Sequence, residues 1–338
     1  MTRSFRADTC APAEPPFSTS KPNLREIRSG LNSWTAISLV RASMNTLEQS
    51  AIQLNSILFA IDFTPGCLHA FPFAISIARH YAGTLLLEHV DPGHRVRAVQ
   101  DQKVTLHQLQ SEMEAALADV SVSLEGIAHE IHFDHGNISA RLLDTAKRRH
   151  TDLIVVGTNG LRGIRKLWKG STAEQIVFLS SCPVLTAGPN VDRRPDFRRI
   201  LCATDFSAAA RNAIPYALSL AEKYDASLAF LHVNDWSSTE TPVQARPKTL
   251  EFVHEQLGRS IHGTAIEARC QVFVEYGPSS DLILEAATDR EADLIVMGRP
   301  AVNSFKARIA SHLPGSTAYD VIAQAPCPVL TVPLRHAA

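Results

Sequence analysis

No apolar run in this sequence approaches the roughly 20 residues that span a bilayer, so no membrane partner is expected. The opening stretch, MTRSFRADTCAPAEPPFSTSKP, has no apolar core of the kind a standard secretory signal needs. Charge of one sign is also missing. There are 33 Lys and Arg against 34 Asp and Glu, a formal net charge of −1. That balance gives no reason to expect nucleic acid or an anionic surface as partner. None of the six cysteines forms a Cys-x-x-Cys pair. Zinc and disulfide frameworks are therefore not expected. Cys10, Cys67, Cys182, Cys202, Cys270 and Cys327 read instead as small thiols, mostly buried, in a reducing cytoplasm. Two phosphate-binding patterns are absent as well: there is no Gly-x-Gly-x-x-Gly and no Gly-Lys followed by Ser or Thr.

What is present is the same domain written twice. A length of 338 residues suggests about two domains of roughly 150 residues. The segment ILFAIDFTPGCLHAFPFAISIARHYAGTLLLEHV (57–90) matches ILCATDFSAAARNAIPYALSLAEKYDASLAFLHV (200–233) without a gap. DLIVVG (152–157) matches DLIVMG (293–298), and GSTAEQIVFLSSCPVLTAGP (170–189) matches GSTAYDVIAQAPCPVLTVP (315–333). The expected organisation is a first domain over 53–189, a linker over 190–198 and a second domain over 199–334. Residues 1–52 lie outside the repeat and are rich in Pro, Ser and Thr near their start, which predicts a disordered extension. Met44 stands just upstream of the first strand, and its position suggests a candidate start of translation.

Each repeat alternates strands and helices. In the first, strands are predicted at 57–61, 84–90, 125–133, 152–157 and 184–187. Helices are predicted at 71–81, 97–122, 138–149 and 171–179. Near-continuous apolar strands separated by helices imply a parallel sheet covered on both faces. Right-handed crossovers make each repeat a doubly wound, Rossmann-like α/β domain. Ligands in such sheets sit beyond the carboxyl ends of the strands, where the strand order switches. Asp62-Phe63-Thr64, His89-Val90-Asp91 and the loop after the fourth strand should converge there.

That loop reads GTNGLRGIRKLWKGST (157–172). Two residues separate Gly157 from Gly160, and nine separate Gly160 from Gly170-Ser171. Glycines let backbone N–H groups approach phosphate oxygens. Gly170, Ser171 and Thr172 open a helix, whose free N–H groups and dipole favour an anion. Arg162, Arg165, Lys166 and Lys169 add cations suited to a polyphosphate. A solvated basic turn, with Ser171 as a plain helix cap, would read much the same.

The pattern Gly-2x-Gly-9x-Gly-Ser resembles the ATP-binding signature of universal stress proteins. AIDFT and ATDFS, LEHV and LHV, DLIVVG and DLIVMG, and CPVLT resemble that family's other hallmarks, in order, in both repeats. The resemblance covers nearly all of 56–333 and implies a tandem member with the family's adenine-nucleotide-binding fold. It implies ATP, with Mg, as ligand. Asp62 resembles the acidic residue near the adenosine, with a helix cap as the alternative. Val90 resembles the residue whose backbone meets the adenine. Gly157, Gly160, Gly170 and Ser171 resemble the phosphate contacts, with Arg162 and Thr172 beside them. It also implies that the CPVLT strands pair, so that the repeats form a pseudo-dimer within the chain. Further homodimerisation and an unidentified protein partner remain open.

The second repeat departs from this pattern. Between Gly298 and Gly315 it reads RPAVNSFKARIASHLP, with Ala301 at the second glycine position and a span four residues longer. Pro300 and Pro314 restrict the backbone there. Nucleotide is expected mainly in the first repeat; Asp205 and Val233 leave an adenine pocket conceivable in the second, and Arg299, Lys306, Arg308 and His312 leave weak anion binding open there. The resemblance points to a stress-response regulator. Slow ATP hydrolysis, or autophosphorylation on Ser171 or Thr172, ranks lower, because only Asp62 offers a general base. A nucleotide-independent scaffold is the third reading. His129 and His132 fall on opposite faces of a strand and cannot simply share a metal. His89 and His232 are expected to brace the loop, and Cys67 to be structural.

Overall fold

The computed structural model describes residues 52–92, 111, 115, 124–158, 172–188, 191, 194–234, 242–300 and 316–334. The predicted extension, most of the predicted 97–122 helix and both long loops after the fourth strands lie outside these residues.

The first repeat runs β1 (Ser56–Ala60), α1 (Pro65–Tyr81), β2 (Thr84–Asp91), β3 (His129–His135), α2 (Ile138–Arg148), β4 (Leu153–Gly157), α3 (Thr172–Leu179) and β5 (Val184–Ala187). The second runs β6 (Arg199–Ala203), α4 (Ala208–Lys223), β7 (Ser227–Asn234), α5 (Pro242–Ile261), β8 (Cys270–Tyr276), α6 (Ser279–Asp289), β9 (Leu294–Arg299), α7 (Thr317–Gln324) and β10 (Val329–Pro333). Among the described residues, no helix is long and apolar enough to cross a membrane.

All ten strands form one sheet, in the order β3-β2-β1-β4-β5-β10-β9-β6-β7-β8. Every neighbouring pair is parallel except β5 and β10, which run antiparallel with Leu185 opposite Leu330. The doubly wound reading holds for each repeat, and the two CPVLT strands form the seam. Across it the hydroxyls of Thr186 and Thr331 donate reciprocally to the carbonyls of Val329 and Val184, at 3.3 and 3.2 Å. The second tie between repeats lies in the helices. Ser76 Oγ meets Tyr224 OH at 2.9 Å, and Tyr81 OH meets Ser219 Oγ at 2.9 Å.

Local chemistry explains the strand starts. The Asp152 carboxylate accepts from the N–H groups of Asn55 and Ser56, at 2.8 and 3.0 Å, and so ties β1 to β4. Asp293 does the same for Arg198 and Arg199, at 3.0 and 2.9 Å. The β1 and β4 residues Ile57, Leu58, Phe59, Ile154 and Val155 are fully buried, as strands covered on both faces require.

Two predicted boundaries are corrected. The first helix begins at Pro65 rather than Phe71, because Thr64 caps it and Pro65 fits the first turn. The third strand begins at His129 rather than Glu125. Residues 124–127 form a turn, with Ile127 N–H bonded to Leu124 O at 3.0 Å and Gly126 at φ 74°.

Candidate functional site

β1 is the point where the strand order switches: β2 and β3 lie to one side of it, β4 and β5 to the other. The carboxyl ends of β1, β2 and β4 therefore frame one crevice. Of the residues singled out in the sequence, Asp62, Val90, Gly157 and Thr172 belong to this end of the first repeat. Gly160, Arg162, Gly170 and Ser171 lie outside the described residues.

Asp62 is exposed, just past β1. Its Oδ1 accepts from Thr64 N at 2.9 Å and from Thr64 Oγ1 at 2.7 Å. Thr64, not Asp62, is the cap of α1; its Oγ1 accepts from Cys67 N at 3.3 Å. Asp62 braces the capping residue while its side chain stays exposed. Between them Phe63 takes a left-handed backbone, with φ 58°. Phe206 repeats that conformation at the matching position, also with φ 58°, and Asp205 accepts from Ser207 N at 2.9 Å. Both repeats thus build the same strained turn beyond their first strand.

Val90 is buried in β2. Glu88 O accepts from Ile61 N on the β1 side, at 2.9 Å, whereas Asp91 O accepts from Gly136 N beyond β3, at 2.8 Å. Successive residues of a strand alternate the side to which they turn their backbone groups. Val90 therefore turns its N–H and C=O with Glu88, toward β1. The last paired residue of β1 is Ala60, opposite Glu88. Val90's backbone faces the crevice past that end.

His89 Nδ1 lies 2.8 Å from Ile61 O, and His232 Nδ1 lies 2.8 Å from Thr204 O. The partner is a carbonyl in each case, so Nδ1 carries the proton and the ring locks the turn after the first strand. Gly157 ends β4 against the start of α1. A Cβ there would stand 2.2 Å from Gly66 O and 2.5 Å from Cys67 N. Gly298 sits in the same way against Ala209 and Ala210, at 2.4 Å from backbone atoms of each. These glycines let the helix reach the sheet, whatever else they contact.

The thiol nearest Asp62 is structural rather than nucleophilic. Cys67 is buried beneath Asp62, and burial pushes its thiol up to about 12. Thr172 opens α3. Its counterpart helix α7 is capped by Ser316, whose Oγ accepts from Tyr319 N at 3.4 Å. The capping role weighed for Ser171 is therefore what the matching serine does in the second repeat.

Glu88 escaped the sequence reading, and Arg299, expected there as a weak anion contact of the second repeat, is instead buried on two backbone carbonyls. Glu88 is fully buried in β2, where the second repeat has Leu231. Thr145 Oγ1 donates to its Oε1 at 2.9 Å, and His132 Nδ1 is 3.6 Å from the same oxygen. Arg299 follows Gly298 where the first repeat has Thr158, and it is 1% exposed. Aligning the repeats would have flagged both, as a charge opposite an apolar or a small residue.

Comparison with known proteins agrees with this architecture. The Universal stress protein family profile matches residues 54–187 and again 196–333. A universal stress protein of Thermus aquaticus is 31% identical over 140 residues, which is 40% of this chain and 98% of that protein. One of Bacillus subtilis is 26% identical over 149 residues, 39% of this chain and 97% of that protein. Among solved structures, a universal stress protein from Archaeoglobus fulgidus superposes with a TM-score of 0.63 at 21% identity, over 83% of this chain and 99% of that one. At that identity the likeness is one of fold. The chain is a tandem member of the universal stress protein family.

Proposed function

We propose that the first repeat binds ATP with Mg at the carboxyl ends of β1, β2 and β4, and that the chain acts as a nucleotide-binding stress-response regulator in the cytoplasm. The observation that carries this reading is the spacing Gly157-2x-Gly160-9x-Gly170-Ser171 between β4 and α3. Asp62, exposed at the end of β1, would stand beside the ribose. The backbone of Val90 would pair with the adenine edge. Gly160, Gly170, Ser171 and Thr172 would present N–H and hydroxyl donors to the phosphates, with Arg162 beside them. The donor set suits a hydrated Mg carried in on the phosphates, an ion that commonly keeps several waters and few protein ligands.

Binding rather than turnover is favoured by the site's own chemistry. Asp62 is held by two bonds to Thr64, and the one thiol beneath it is held protonated. ATP would order the 157–171 loop and so shift a population toward a surface that a partner protein reads. The second repeat keeps the turn at Phe206 and the His232 bond but departs in its loop, so occupancy is expected mainly in the first repeat.

Titration calorimetry of nucleotide-free protein with Mg-ATP tests this. One site per chain, lost in Gly170→Val, is the expected result. Two sites would overturn the assignment to the first repeat. Absence of binding at millimolar ATP would overturn nucleotide binding and favour a scaffold.

A further inference from the structure

Arg299 belongs to the second repeat, but its side chain serves the first. It leaves the end of β9, opposite Pro333 of β10. Its Nη1 donates to Phe178 O at 3.1 Å and its Nη2 to Ser180 O at 2.5 Å. These carbonyls lie at the C-terminal end of α3, where a helix's last carbonyls lack intrahelical partners and a cation complements the dipole. The guanidinium is sealed from solvent, and its Nε–H has no partner. A rigid planar fork that fixes two carbonyls at once defines a position more sharply than apolar contact would. Burying it incompletely satisfied costs stability that an apolar side chain of similar volume would not.

The arrangement is one-sided. The first repeat has Thr158 at the matching place, and the α7 positions matching Phe178 and Ser180 are Ala323 and Ala325. Each end of the link is also meaningful. Arg299 directly precedes the divergent loop of the second repeat. The helix it holds spans eight residues, so its far end lies only about 12 Å away. That far end is Thr172, directly after Gly170 and Ser171.

We propose that Arg299 is a positioning residue for the first repeat's phosphate site, through which the second repeat sets the affinity of the first for nucleotide. The proposal rests on the reading of 157–172 as a phosphate loop. α3 is a single helix of eight residues, so the anchor that Arg299 gives its C-terminal end also sets where the N–H groups at its start stand.

The test is Mg-ATP calorimetry on full-length protein with Arg299, Arg299→Lys and Arg299→Met, paired with amide hydrogen exchange across α3 and α1. The methionine variant keeps volume and should fold; the lysine variant keeps the charge but not the fork. The expected result is about tenfold weaker ATP binding in Arg299→Met at unchanged stoichiometry. Lysine should restore part of it. Exchange should speed up along α3 and stay unchanged in α1. ATP affinity that is unchanged in a folded Arg299→Met protein would overturn the proposal, even with faster α3 exchange, since Arg299 would then be structural only. Unchanged α3 exchange would overturn it too. If the unsubstituted protein binds no Mg-ATP, the nucleotide reading itself fails, and α3 exchange alone decides whether Arg299 sets this helix.

Discussion

The hydroxyls of Ser76 and Tyr224 meet at 2.9 Å across the boundary between the repeats. Ser76 also donates to Pro195 O at 2.6 Å, which leaves Tyr224 as the donor to Ser76. Removing the serine hydroxyl strands a buried phenol, whereas removing the phenol leaves the serine bonded. Ser76→Ala should therefore cost about 2 kcal/mol, and Tyr224→Phe about 1 kcal/mol. The double variant should lose less than the sum of the two. Denaturant melts of the four proteins measure this; strict additivity would mean that the pair is not coupled.

Gly157 and Gly298 separate packing from binding. An added methyl group meets helix backbone at both positions, so Gly157→Ala and Gly298→Ala should each destabilise by about 3 kcal/mol. Only Gly157→Ala should also weaken Mg-ATP binding. Equal loss of ATP binding in both would show that the ligand effect comes from general destabilisation.

Glu88 makes stability depend on pH. Burial raises its pKa, opposed by the Thr145 hydrogen bond and the His132 charge and assisted by the Asp134 charge. The folded state thus holds this proton more tightly than the unfolded chain. Its stabilising effect is complete below the ordinary glutamate range and is lost as pH rises toward the raised value. Glu88→Gln keeps the Thr145 bond without the charge. It should melt higher than the parent at neutral pH, and the gap should close below pH 4.5. A constant gap across pH would mean that Glu88 does not titrate there.

The buried cysteines Cys67, Cys202, Cys270 and Cys327 should resist alkylation in the native protein. Burial pushes Cys67, Cys202 and Cys327 up to about 12, and Cys270 up to about 11. At pH 8 only about one in 10,000 of the first three is thiolate. Iodoacetamide followed by intact mass should show these sites modified only after unfolding. Rapid native labelling of Cys67 would reopen a reactive role for it.

Much of this was legible because the repeats carry their own control. Buried strands such as Ile57–Phe59 and Leu153–Val155 are apolar throughout, so both the strands and their parallel arrangement follow from the residues. The pairing of Val184–Ala187 with Val329–Pro333 followed from the resemblance that the repeated CPVLT helped to carry. The start of α1 was missed because Thr-Pro-Gly reads as a turn until Thr64 is seen capping a helix. The start of β3 was missed because the Gly126 turn depends on a backbone angle that an apolar pattern does not encode. The site was half legible. Asp62, Val90, Gly157 and Thr172 come to one end of the sheet, but the bracing of Thr64 by Asp62 and the reach of Arg299 are tertiary facts. A long side chain that crosses from one repeat to another leaves no local periodicity.

The β5–β10 seam joins two segments of a single polypeptide. In a symmetric homodimer every substitution appears twice, once on each side of the axis. Here the halves are present in a fixed one-to-one ratio, cannot separate on dilution and cannot exchange with other copies. A change in one half is never mirrored by the other. That freedom is what permits an arginine on one side and a threonine on the other, and with it a direction: one half can act as the setting and its twin as the instrument.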